Sequence, residues 1–320
     1  MHVYIIRRLL QAIPVVIITT LLVFMLIHMV PGDPAQMLAG PNATDDVVEG
    51  LRSRMNLDQP LPIQYGTWIT NLMQGDMGTS LISRVPVAQL IGRSLGATLQ
   101  LTFAVLILAI FIAVPLGVVA AAFNGRAIDH AINGYVGLSL ALPNFWFGIL
   151  LILIFAVQLR WLPSSGYANL FEDPARAIPL LILPTLALGN RIAAEITRFV
   201  KNSMLETFHE DFVRTAKAKG VSHRKILFKH VLRNALIPVV TMIGLRFGRL
   251  LGGAVVVESV FAWPGIGRLI VQAIGNRDYP LVQGSLMIVV LLFIGINLLT
   301  DVLYGVLDPR ISLGEGERAT

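Results

Sequence analysis

Three stretches of this chain run for more than twenty residues without an Asp, Glu, Lys or Arg: Leu9–Val30 (22 residues), Ala97–Phe123 (27) and Ile132–Val157 (26). An α-helix rises about 1.5 Å per residue, so about 20 apolar residues cross a bilayer. Hydrocarbon offers no water to unpaired backbone groups, so such runs must be helical. A fourth run, Leu281–Leu307, carries only Asp301. Two weaker runs complete the pattern. Ile178–Val200 is apolar to Gly189 and then holds Arg191, Glu195 and Arg198, and Asn234–Ala262 holds Arg246, Arg249 and Glu258. The expected fold is an all-α integral membrane protein with six transmembrane helices. Composition agrees: 55% of residues are hydrophobic and 14% charged, where a soluble domain has about 45–50% and about 25%. Disorder is excluded by the same numbers. The absence of cysteine excludes disulfide staples and thiolate metal sites.

The first run follows Arg7 and Arg8, as a signal peptide would, but it exceeds the usual 7–15-residue apolar segment and is read as a retained anchor span, residues 1–30. Lysine and arginine set the orientation. The side that holds both termini and residues 201–233 has 13 of them, against 4 in the short loops of the other side. Both termini are therefore expected in the cytoplasm. The net charge of +6 reflects topology and contact with anionic membrane lipid, not nucleic acid, because no aromatic platform is interleaved with the basic residues.

Between spans the chain has three distinctive parts. Residues 31–93 are expected to form an outer segment in which Thr44-Asp45-Asp46 caps a short helix over 45–57, ended at Asp58-Gln59-Pro60. A second amphipathic stretch, Gln64–Met73, holds Tyr65 and Trp68. The cytoplasmic loop 201–233 reads as helix, Gly220, helix, with Phe212, Ala216 and Lys219 on one stripe. Ala262–Pro280 reads as an outer surface or re-entrant helix, with Trp263 and Tyr279 as interfacial aromatics.

The segment Arg214–Gly220 (RTAKAKG) resembles the cytoplasmic EAA loop of ABC-importer permeases. Further segments extend the likeness almost end to end: IIRRLLQAIP (5–14), HMVPGDP (28–34), LDQPLPIQY (57–65), GDMGTSLISRVPV (75–87), EDFVRTAKAKGVSHRKILFKHVLRNALIPVVT (210–241), GGAVVVESVFAWPGIGRL (252–269), RDYPLVQG (277–284) and DVLYGVLDPRI (301–311). In this order they resemble the first permease subunit of the dipeptide/oligopeptide/nickel family, which includes glutathione permeases. Two departures stand out: Arg214 takes the place of the EAA glutamate, and Pro238 lies 18 residues after Gly220 instead of 13.

The resemblance implies a type I ABC-importer permease fold with a core over 94–307, spans at about 97–123, 132–157, 178–200, 234–262 and 281–307, and a tail over 308–320. It implies a second homologous permease, two cytoplasmic ABC ATPases, a periplasmic solute-binding protein and an address in the bacterial inner membrane. The chain has no phosphate-binding G-x-x-x-x-G-K-[ST] loop, so ATP and magnesium are expected only in the partner ATPases. The implied role is a non-catalytic subunit that imports short peptides, di- or tripeptides or glutathione-like ones, with nickel or another small solute as the alternative. Within the coupling loop, Glu210, Asp211, Arg214, Ala216, Lys217 and Gly220 are the implied ATPase contacts.

Ionisable and polar groups inside spans are costly and mark pathways or interhelix pairs. Arg191, Glu195 and Arg198, spaced 4 and 3 apart on one helical face, with Arg246, Glu258 and Asn144, are candidates for a pathway or gate, each with an ion-pair or packing role as the alternative. Gly244, Gly248 and Gly252 repeat every four residues and suit close helix packing, within the chain or against a second permease. A secondary transporter would show internal repeats, and none is evident. An intramembrane enzyme would need a motif such as H-E-x-x-H or G-x-S-x-G, and neither occurs.

Overall fold

The computed structural model describes residues 2–29, 34–40 and 42–307, and among them the regular structure is helical, with one isolated bridge between Thr79 and Pro86. The helices are α1 His2–Met29, α2 Pro34–Ala39, α3 Asp45–Arg54, α4 Leu61–Met73, α5 Val87–Ala122, α6 Ala127–Ala141, α7 Asn144–Leu151, α8 Pro174–Phe208, α9 Asp211–Ala218, α10 His223–Lys225, α11 Leu232–Gly253, α12 Val255–Val260, α13 Ile266–Gly275 and α14 Tyr279–Leu307. Wider π-helical turns continue α7 through Ile152–Gln158 and join α10 to α11 through Ile226–Val231.

Four segments among the described residues are long and apolar enough to cross a membrane singly: α5, α8, His223–Gly248 and Tyr279–Thr300. The expected third span is broken, because α6 and α7 meet at an angle of 101°. Pro143 has no N–H to donate and forces the residue before it out of helical geometry. Leu142 is accordingly extended, at φ −81 and ψ 130. The expected first span lies in α1, whose described apolar part is Leu10–Met25. The expected fifth span also divides. Its long helix stops at Gly253, and Glu258 sits in the separate short helix α12.

The core is built on α5 and α8, which run parallel: Gln100 meets Ala168 and Leu170 ahead of α8, and Gly189 faces Leu108. Further along, a Cβ at Gly117 would lie 2.7 Å from Val200 Cβ, so only glycine permits this approach. Around this pair cluster Leu101, Val105, Leu183, Ile196 and Met204, all essentially buried.

The outer segment is pinned to the first helix. Phe24 of α1 packs edge-on to Tyr65 of α4, with ring centroids 5.4 Å apart, and against Trp68 at 6.1 Å. The hydroxyls of Thr20 and Tyr65 are 2.8 Å apart. Thr44 does precede α3, but its side chain makes no capping bond. Its carbonyl accepts from Val47 and Val48 instead.

Candidate functional site

The charged element between α8 and α11 forms first from its helix ends. Helix α8 stops at Phe208, Glu210 takes an extended conformation, and α9 begins with Asp211. Two bonds end α9: Gly220 N–H to the Lys217 carbonyl (3.0 Å) and Val221 N–H to the Ala216 carbonyl (3.2 Å). This double bond pattern needs a left-handed residue after the cap, and Gly220 supplies it at φ +73. The buried stripe of α9 is Val213 and Ala216, not the expected stripe with Phe212, which is 41% exposed. The two buried residues join a core with Met204, Ile226, Leu227 and Val231, so α9 is fixed to the span ends on both sides. Ala216 thus faces inward, whereas Glu210, Asp211, Arg214, Lys217 and Gly220 are exposed. Arg214 pairs with Asp211 on the exposed face, a contact worth little in water.

A second charged group lies within the bundle. Glu195 of α8 pairs with Arg191 one turn earlier (Nε to Oε1, 3.4 Å) and with Arg246 of α11 (Nη1 to Oε2, 3.0 Å). Arg191 Nη1 also donates to the Leu140 carbonyl at 3.3 Å. Leu140 stands in the last turn of α6, where a carbonyl has no helical partner. These residues line an open cleft of about 640 Å³ with Arg198, Phe199, Asn202 and Met242. Of the expected pathway residues, the structure thus brings Arg191, Glu195 and Arg246 together. Asn144 is half-buried at the start of α7 and does not line this cleft.

Glu258 lies elsewhere, in the buried cap formed by α12 and α13. Its Oε1 accepts from the Thr98 hydroxyl at 2.9 Å and its Oε2 from the Arg268 N–H at 2.9 Å. Thr98 Oγ1 in turn accepts from the Ile266 N–H at 2.8 Å. The carboxylate therefore serves the first N–H groups of α13 and favours that helix's positive end. Trp263 is fully buried rather than interfacial: its Nε1–H donates to the Ala97 carbonyl at 2.8 Å, and its ring meets Tyr167 at 90° with centroids 5.0 Å apart. Tyr279 is buried as well.

Gly244 and Gly248 face α14 of the same chain. A Cβ at Gly244 would come within 2.6 Å of Thr300 Oγ1, and one at Gly248 within 3.4 Å of Phe293. The surroundings of Gly252 and Arg249 lie outside the described residues.

Two polar pairs escaped the sequence reading. Lys201 Nζ lies 2.5 Å from Asp129 Oδ1, joining α8 to the first turn of α6, and both side chains are nearly buried. Asp129 Oδ2 also accepts from the Gly125 N–H at 3.0 Å. Buried Asp278 accepts from the Ser80 hydroxyl (2.5 Å) and the Leu81 N–H (3.1 Å), tying the outer segment to the start of α14. A lone acid just before an apolar run was the available signal for Asp129. Nothing in the spacing named partners 72 and 198 residues away.

Comparison with known proteins fits this architecture. Over residues 113–313 the chain matches the family described as "Binding-protein-dependent transport system inner membrane component", and over residues 1–102 its companion N-terminal family. It is 45% identical over 308 residues to the glutathione transport system permease protein GsiC of Escherichia coli strain K12, covering 96% of this chain and 98% of that protein. It is 44% identical over 313 residues to the protein of the same name from Salmonella choleraesuis strain SC-B67, with the same coverage. Among solved structures it resembles a chain of the inward-facing MetNI methionine ABC transporter, with a TM-score of 0.58 at 20% identity over 69% of this chain and 97% of that one. That likeness concerns the fold. The chain belongs to the family of binding-protein-dependent transport system inner membrane components, as a multi-pass permease subunit of an ABC importer.

Proposed function

We propose that this chain is the permease subunit of an ATP-driven importer for short peptides, with glutathione-like tripeptides as the substrate class. The reading rests on one observation above others: 45% identity to a glutathione permease over 96% of this chain. The partners are a second homologous permease, two cytoplasmic ATPases and a periplasmic binding protein. ATP and magnesium belong to the ATPases. Both termini and α9 face the cytoplasm, and residues 31–93 face the binding protein. The exposed side of α9, with Glu210, Asp211, Arg214, Lys217 and Gly220, seats in the ATPase, while its buried side transmits the movement to α8 and α11. Ala216 acts there through packing.

Purification of the tagged chain in mild detergent from its native membrane tests the reading. The expected result is a second permease and ATPase chains in the same particle, with ATP hydrolysis stimulated by binding protein loaded with glutathione. A chain that purifies without an ATPase and takes up peptide along an ion gradient would overturn it.

A further inference from the structure

The cleft between α8 and α11 is unbalanced in charge. Three guanidinium groups line it, those of Arg191, Arg198 and Arg246, against the single carboxylate of Glu195. Glu195 spends one oxygen on Arg191 and the other on Arg246. Arg198 has no ion-pair partner among the described residues and is exposed to the cleft. A guanidinium carries five donors and cannot shed its charge. The cluster therefore keeps unused donors and a net positive charge. Its members are open to the cleft: the side chains of Arg191 and Arg246 are 44% and 29% exposed. This cleft is about 640 Å³, within the range of roughly 300–1,000 Å³ typical of ligand clefts.

We infer that this cleft is a transit site for the substrate's carboxylate, with Glu195 as a resident counter-ion that an incoming carboxylate displaces from Arg246. The inference rests on the peptide reading above. Arg246 presents a planar fork that matches a carboxylate in bidentate fashion. Arg191 is held in place by the Leu140 carbonyl, so the exchange need not disturb it. Glu195 then has a second effect. By competing for Arg246 it keeps the bound anion exchangeable, as passage through a membrane requires.

The test uses the complete importer, purified through this chain and reconstituted in liposomes. Uptake of glutathione is compared with uptake of its diamide, in which both carboxylates are neutral, and the binding protein's affinity for each is measured separately. Arg246→Gln is expected to raise the KM for glutathione about tenfold more than the KM for the diamide, the effect of losing one charge-assisted contact. Arg246→Lys should fall between. Glu195→Gln should lower both KM and kcat for glutathione, because release becomes slow. Equal effects on both peptides would overturn the inference while leaving the peptide reading intact. So would recovery of Arg246→Gln for both peptides on enrichment in anionic lipid, which would assign the arginines to a lipid phosphate. A wild-type importer that moves neither peptide would overturn the substrate reading and the transit site with it.

Discussion

The hydroxyl of Thr98 donates to the carboxylate of Glu258 at 2.9 Å, joining positions 160 residues apart. The two side chains between them meet the start of α13, one through the Ile266 N–H and the other through the Arg268 N–H. Removing either partner strands buried donors, which costs about 1–3 kcal/mol each and more for charged groups. Glu258→Ala should therefore destabilise the protein by about 3 kcal/mol or more, and Thr98→Val by about 1–3 kcal/mol. Thermal unfolding of the detergent-solubilised protein would show it. An unchanged midpoint for Glu258→Ala would mean that the cap contributes nothing.

A Cβ at Gly244 would intrude on the side chain of Thr300, with Thr300 Oγ1 only 2.6 Å away. Gly244→Ala should cost about 1–3 kcal/mol through overpacking, and Thr300→Ala in the same chain should return part of that loss. A double-mutant cycle measures the coupling. Strict additivity would show that α11 and α14 do not meet here.

Asp129 and Lys201 are nearly buried and paired, so removing one partner leaves the other charge uncompensated. Asp129→Asn should destabilise the protein, and Lys201→Met in the same chain should return part of that loss. Thermal unfolding of the two single variants and the double variant measures the coupling. Strict additivity would contradict the pairing.

Gly220 ends α9 at φ +73 and is exposed. Gly220→Glu should leave membrane insertion intact and abolish transport-coupled ATP hydrolysis, through both the strained backbone and a new charge on the exposed side of α9 proposed to meet the ATPase. Fractionation, uptake and ATPase assays on the assembled importer would decide it. Normal transport by this variant would place the ATPase contact elsewhere.

Long apolar runs made the all-α membrane architecture legible in the sequence, because a bilayer imposes length and apolarity on each crossing. RTAKAKG likewise located α9 and its stop at Gly220. Breaks inside spans were less legible. Proline at 143 interrupts helical bonding, but no local pattern gives the 101° between α6 and α7. Trp263 looked interfacial by type, yet its N–H is taken up by the Ala97 carbonyl, a partner 166 residues away that no local pattern reveals. Among the pathway candidates, spacing put Arg191 and Glu195 on one face. Only the approach of α11 to α8 added Arg246 to them.

Gly265 sits hard against Glu258: a Cβ built there would fall 2.0 Å from Oε1, although the backbone at that position is ordinary and extended. The two positions therefore share one space. A larger residue at 265 would have to push the carboxylate off the Thr98 hydroxyl and the Arg268 N–H, and the start of α13 would lose its acceptor. The size of residue 265 is thus part of what holds the acid to its donors.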